Sequence, residues 1–402
     1  MSTINGTGGA DQLNGTPDGD VMAGLAGNDT LAGGGGIDTA EYGASPGAVT
    51  VDLLAGTAQD GYGGADVLRE IEHVGGSDFN DTLSGDAIAN YLAGREGTDL
   101  IRGAGGDDVL AGGGGADTLE GGAGHDVLQG GDGGDVLRGG DGYDTADYSD
   151  AIVAVGADLY TGTWEDTFDS IENLVGSAQN DVLLGDWQNN VLSGRGGDDV
   201  LQGREGADQA FGGVGNDTIE GGMGQDYLRG EEGADVIRGG GDFDDLHGNM
   251  GDDTVSGGDG DDWVVGGKDN DRLSGEQGHD VVYGNLGADT CEGGDGNDWV
   301  RGGQNDDILF GGAGDDWMSG DRGSDTLTGG AGADIFNIFG DAGLDRVTDF
   351  SQAEGDRVKV EAGWTYTAAQ VGSDTVVTVG GAEIVLVGVQ LSGLSSGWIF
   401  VG

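Results

Sequence analysis

Along residues 181 to 334 the apolar positions return once every nine residues, each flanked by two polar ones and separated from the next by a glycine-rich turn. The stretch GGDGNDWVRGGQNDDILFGGAGDDWMSGDRGSDTLTGG (293 to 330) reads as G-G-x-G-x-D-x-U-x, with U apolar. Leu201, Ile219, Leu228, Ile237, Leu246, Val255, Leu273, Leu309, Met318 and Leu327 occupy U. Side chains alternate across a strand, so a three-residue x-U-x strand points only U inward. Two such strands facing each other close one coil around a thin double row of Leu, Ile and Val. Glycines at turn positions one, two and four are expected to supply positive φ. Asp242, Asp269 and Asn305 replace the fourth glycine, and these residue types tolerate the left-handed region best.

A single inward side chain per nonapeptide is too little burial to offset the backbone entropy of nine ordered residues. The sixth turn position points to what else holds the turns. Asp fills it at Asp11, Asp20, Asp29 and Asp38, then at Asp99, Asp108, Asp117, Asp126, Asp135 and Asp144. In the long run it fills Asp199, Asp208, Asp217, Asp226, Asp235, Asp244, Asp253, Asp262, Asp271, Asp280, Asp289, Asp298, Asp307, Asp316, Asp325 and Asp334. Stacked coils bring these carboxylates together with backbone carbonyls. An all-oxygen cage suits Ca²⁺ rather than zinc or copper, which makes these aspartates the candidate metal ligands. Asn90 and Asn190 break the series, and weak or absent metal is expected at those two turns.

Composition agrees with a solenoid: 94 Gly and 2 Pro leave no room for collagen or for propagating helices. The formal charge of −60 opposes compaction without counter-ions and disfavours nucleic acid as a partner. One ion between alternate turns would give about 24 Ca²⁺ and leave roughly −12. The one cysteine, Cys291, sits at a U position, so no disulfide framework is expected. No apolar run is long enough for a membrane span, and MSTINGTGGADQLNG does not read as a secretory signal peptide.

The period divides the chain into a short β-roll (1–42), an irregular strand-loop insertion (43–80), a β-roll (81–148), a second insertion (149–180), a long β-roll (181–339) and a β cap (340–402). The insertions resemble each other at an offset of 100, as in Ile71-Glu72 and Ile171-Glu172, and are expected to continue the solenoid, with separate domains as the alternative. Val49 to Leu53 and Val153 to Leu159 alternate like strands. Ala40 and Ala146 at U are expected to mark where a roll stops.

These repeats resemble the calcium-binding nonapeptides of the repeats-in-toxin (RTX) class. The resemblance implies an all-β fold, a right-handed parallel β-roll or β-helix solenoid, with Ca²⁺ in the turns and a C-terminal β cap. Ile335 to Phe339, Asp345 to Phe350 and Gly355 to Val358 are similar to the cap of serralysin-type proteases. A solenoid needs a cap to cover its last strand edges. Gly397-Trp398-Ile399-Phe400-Val401-Gly402 resembles the uncleaved C-terminal signal of type I secretion substrates, which implies a type I exporter and a secreted bacterial protein.

A catalytic set is not apparent in the sequence. The H-E-x-x-H of a serralysin is missing, and His73, His125, His247 and His279 have no zinc spacing. Gly393-Leu394-Ser395-Ser396-Gly397 matches G-x-S-x-G, but no His follows it. The reading is a non-enzymatic calcium-binding structural protein of a cell surface or matrix; a carbohydrate-active enzyme or a toxin-like bacteriocin is the alternative. Trp263, Trp299 and Trp317 stand in one outward column with Tyr227, Val281 and Ile335. That column is read as a cross-strand ladder or as a contact face for another copy or a glycan.

Overall fold

The computed structural model describes residues 2–163 and 165–402. The chain is almost entirely short parallel strands and forms two compact units, Met1–Ala178 and Gln179–Gly402. In the second unit, Val191–Gly196, Gln209–Val214, Tyr227–Glu232 and their successors through Trp317–Arg322 stack in parallel as one sheet. Val200–Glu205, Thr218–Met223 and their successors through Thr326–Ala331 form the facing sheet. This is the parallel β-roll, and the U side chains fill its interior: those from Leu201 to Leu327 are at most 1% exposed. Cys291 is fully buried among them.

Two details of the turn differ from expectation. Most strands run six residues rather than three, because the pairing between successive coils continues into the first positions of the next turn. There Arg204 still pairs with Gly222. Positions two and four do take positive φ, as at Gly294 (120°) and Gly296 (151°), but position one does not. A Cβ on Gly293 would instead lie 2.5 Å from both Asp298 Oδ2 and the Gly311 carbonyl oxygen. Close approach, not φ, requires that glycine.

In the first unit the sheets run through both irregular segments. Ala40 pairs with Val74 and Ala146 with Leu174, so neither alanine ends its sheet. Thr50–Asp52, Thr57–Gln59 and Ala65–Arg69 form an antiparallel meander whose outer strands pair in parallel with Thr82–Ser84 and Thr30–Ala32. The second segment is looser. Its strand is confined to Gly156–Asp158, and Ile152 and Val153 are exposed despite their alternation.

At the far end Leu344–Val347 extends one sheet and pairs in parallel with Ala382–Leu386, beyond which Asp374–Val379 and Tyr366–Val371 add antiparallel. Arg357–Val360 and Ile399–Val401 extend the other. Phe336 meets Phe350 at a tilt (6.2 Å between centroids) and Phe350 meets Trp398 edge-on (6.4 Å), all three buried beyond the aliphatic double row.

Candidate metal centre

Within each unit the sixth-position aspartates are joined in ladders. The backbone N–H of Asp199 donates to Oδ1 of Asp217, and that of Asp217 to Oδ1 of Asp235, each at 2.8 Å. The same bond joins Asp208 to Asp226 and runs along both edges of the roll to Asp334. It fixes every carboxylate by one oxygen and leaves the other aimed into the turn.

That second oxygen separates the turns into two kinds. In Asp29, Asp38, Asp99 to Asp144 and Asp199 to Asp334, Oδ2 is buried with no hydrogen-bond partner. Each of these turns has positive φ at position two, even where the residue is Arg95, Arg204, Glu231 or Glu276. A buried carboxylate oxygen without a partner carries a large desolvation penalty. Burial accordingly pushes Asp99 and Asp199 up to about 7 and Asp244, Asp271 and Asp307 up to about 8. A cation would relieve the same penalty. Beside Gly293, Asp298 Oδ2 and the Gly311 carbonyl oxygen face the same small space, each 2.5 Å from where a Cβ would stand. Among the described residues no three His, Cys, Asp or Glu side chains converge on a possible metal position, so main-chain oxygens would complete the shell. The donor set is hard oxygen throughout and fits calcium.

The other kind of turn closes on itself. At Asp11, Oδ2 accepts the N–H (2.6 Å) and hydroxyl (2.8 Å) of Thr7, and at Asp20 it accepts the N–H of Thr16 (2.6 Å). The Thr16 N–H is the main reason that the Asp20 carboxyl lies below its usual range. Asp81 Oδ2 accepts Ser77 N–H, and Asn90 and Asn190 accept the N–H of Asp86 and Asp186. Thr, Ser or Asp stands at position two in each, with no positive φ, which turns its N–H onto the sixth-position side chain. Spacing alone groups Asp11 and Asp20 with the ligands; in the structure their second oxygens accept hydrogen bonds from Thr7 and Thr16.

The ladder also holds carboxylates that spacing missed. Asp29 and Asp38 donate to Asp66 and Glu72 (both 2.9 Å), and Asp135 and Asp144 to Asp166 (2.8 Å) and Glu172 (2.9 Å). Tyr42 and Tyr148 donate their hydroxyls to Oδ2 of Asp66 (3.3 Å) and Asp166 (2.7 Å). At the cap Asp325 donates to Asp345 (3.4 Å) and Asp334 to Asp356 (3.1 Å), and Asp345 leaves Oδ2 unpartnered. The signal was present: Asp66 and Asp166 share the offset of 100 with Glu72 and Glu172.

The remaining candidates have structural partners. Nδ1 of His125 accepts Tyr143 N–H and that of His279 accepts Asn297 N–H, in an outer ladder at position five. His247 contacts Asp245 at 2.8 Å. Ser395 is exposed, and its hydroxyl meets the Gln352 amide at 2.9 Å. In the aromatic column Trp299 and Trp317 lie 5.3 Å apart, with Trp263 and Trp299 about half exposed. Asp245 interrupts that column between Tyr227 and Trp263.

A parallel roll with a hard-oxygen site in turn after turn defines a calcium-binding β-solenoid. The family model described as the RTX calcium-binding nonapeptide repeat matches residues 5–40, 75–146 and, in overlapping segments, 166–347, so the chain belongs to that family. It is a calcium-binding protein of a kind typically secreted by bacteria. No curated protein matches the sequence. Among solved structures, the extracellular lipase LipA from Serratia marcescens aligns at 18% identity over 82% of this chain, with a TM-score of 0.18. The alignment spans 40% of the lipase, and a likeness at that score bears on neither fold nor activity. No helix among the described residues is long and apolar enough to cross a membrane.

Proposed function

We propose that this is a secreted calcium-binding structural protein of a bacterial surface or extracellular matrix. It leaves the cell unfolded through a type I exporter and folds where calcium is abundant. The carrying observation is the run of buried, unpartnered Asp Oδ2 atoms along most of both units. With those oxygens charged and unligated the thin core does not hold the coils; with Ca²⁺ on Asp29, Asp38, Asp99 to Asp144 and Asp199 to Asp334 it does. Sites of this class respond at roughly 10⁻⁴–10⁻³ M Ca²⁺, far above cytosolic levels. The repeats span nearly the whole chain, which supports a structural role, with the tryptophan column as its contact face.

Circular dichroism during a calcium titration at pH 7.5 tests this reading. A β signal that appears only with calcium is expected, and one unchanged by chelator would sink the proposal. Export is tested separately by deleting residues from Gly340 onward. Accumulation inside the cell is expected; undiminished secretion would refute the assignment of the export signal to the cap.

A further inference from the structure

The outer face of the tryptophan sheet presents two parallel columns. One reads Tyr227, Asp245, Trp263, Val281, Trp299 and Trp317 on successive strands. The other lies two residues further along each strand and reads Arg229, His247, Val265, Tyr283, Arg301 and Ser319. Asp245 is the one carboxylate in either column, while most acidic side chains of this unit sit in the turns at the two borders. Trp263 and Trp299 are 49% and 59% exposed, and the facing sheet has Thr218, Val236, Thr254 and Thr290 where this one has rings. Copies of a chain of −60 repel each other except where carboxylates are sparse, and this face is both sparse in them and apolar.

Two identical faces close on each other about a two-fold axis, so that each contact is made twice. With the axis along the solenoid every strand meets its own copy, and the first column of one chain lies on the second column of the other. Asp245 then faces His247, Tyr227 faces Arg229, and Trp299 faces Arg301. These combinations already attract within one chain, where His247 is 2.8 Å from Asp245 and Arg229 lies 4.1 Å from the Tyr227 ring centroid. Trp263 and Val281 face Val265 and Tyr283, and bulky Trp317 faces Ser319, which is fully buried and leaves room for it.

The same axis matches the borders. Exposed Lys268, whose Nζ rests on the weak acceptor Met250 Sδ at 3.6 Å, falls opposite exposed Asp261. Arg322, which also holds Asp341 at 3.0 Å, falls opposite exposed Asp315. Glu231 and Glu232 meet Gln225, Asp242 meets Asn249, and Asp321 is taken up by Arg301 of its own chain at 2.5 Å. Only beyond Ile335 do like charges meet, Arg357 on Lys359, and the match ends there. From Val191 to Ile335 the face measures about 38 Å by 20 Å, or roughly 760 Å² per copy, against about 800 Å² in a standard stable interface. An axis along the strands matches less well: the register that sets Trp263 on Trp299 sets Asp245 on the ring of Trp317.

We propose that the calcium-loaded chain forms a parallel, face-to-face homodimer through these two columns, with Lys268 on Asp261 and Arg322 on Asp315 along its borders. The inference rests on the structural reading above and names the partner of its contact face. Both acidic edges of each roll stay in solvent.

Sedimentation equilibrium of the full calcium-loaded chain is expected to give a dimer. Trp299→Thr should weaken it about 100-fold, since each dimer loses two central rings, and Lys268→Glu about ten-fold, since each gains two like-charge contacts. Ile308→Thr, on the opposite sheet, should leave it unchanged. Carbodiimide joins a lysine to a carboxylate in contact with it, and the chain has only two lysines, Lys268 and Lys359. A dimer-sized product linking Lys268 to Asp261 is expected, and Lys268→Arg should remove it. The inference is overturned if the parent sediments as a monomer at every concentration, or as an open-ended series, since a two-fold contact closes at two. It is also overturned if Trp299→Thr dimerises like the parent, or if Lys268 links the copies through a carboxylate outside the turn that holds Asp261. Dichroism of the same samples judges the structural reading by itself: a calcium-gated fold that stays monomeric sinks the dimer alone, and a β signal indifferent to calcium sinks that reading.

Discussion

The backbone N–H of Asp135 donates to Oδ1 of Asp166 at 2.8 Å across 31 residues, the same bond that elsewhere spans 18. The irregular segment thus keeps the ladder intact, and it provides a hydroxyl, that of Tyr148, for the oxygen left over. Removing that hydroxyl with Tyr148→Phe takes from Asp166 the hydrogen bond that its Oδ2 accepts at 2.7 Å. A loss of about 1–3 kcal/mol is expected in urea unfolding at saturating calcium. Chelator should not abolish the difference in any structure that survives in the first unit; a neutral effect would show that the pair carries no weight.

The two kinds of turn should differ in metal stoichiometry. Asp217→Asn, in a turn where Oδ2 is unpartnered, is expected to lower the calcium bound per chain as measured by equilibrium dialysis. Asp20→Asn, where Thr16 already holds that oxygen, should leave the number unchanged. Equal losses from both would contradict the division.

Gly293 has no room for a side chain, since a Cβ there would press on Asp298 Oδ2 and the Gly311 carbonyl oxygen. Gly293→Ala should cost about 1–3 kcal/mol by overpacking and raise the calcium needed for folding. Gly241, beside which a Cβ would meet nothing within 4 Å, is the control. Its Ala variant should titrate like the parent.

Acid should partly substitute for calcium. Burial raises Asp244, Asp271 and Asp307 to about 8 and Asp99, Asp199 and Asp280 to about 7 in the folded chain, against 3.8 ordinarily. The folded state without metal therefore holds more protons than the unfolded one. Stability from these groups is fully present below pH 3.8 and is lost as pH rises through about 7 to 8. In chelator the β signal should be stronger at pH 4.5 than at pH 8. The calcium concentration that half-saturates the folded chain should rise as pH falls below 7, because protons compete for the same oxygens. A chelated protein equally unfolded at both pH values would count against this.

The parallel roll was legible because one apolar position in nine, placed after a glycine turn, leaves few other solutions. Leu201 and Cys291 both sit where the period puts them. The turn geometry was less legible. Spacing treats Asp20 and Asp29 alike, yet Thr16 and Leu25 at position two adopt different φ, and that choice decides which way an N–H points. Asp66 and Asp166 were missed for another reason: they enter the ladder from outside the period, held there by strand pairing rather than by count.

The paired joints, each with its tyrosine-capped aspartate and its glutamate one short strand later, recur at an offset of 100 with the same hydrogen bonds on either side. Within a regular run of repeats each coil presents the same backbone donors and Asp Oδ1 acceptors to the next, whatever the number of coils. Gene duplication or loss of whole coils would therefore lengthen or shorten the molecule without new packing having to evolve. Selection can act on its reach as a nearly independent trait.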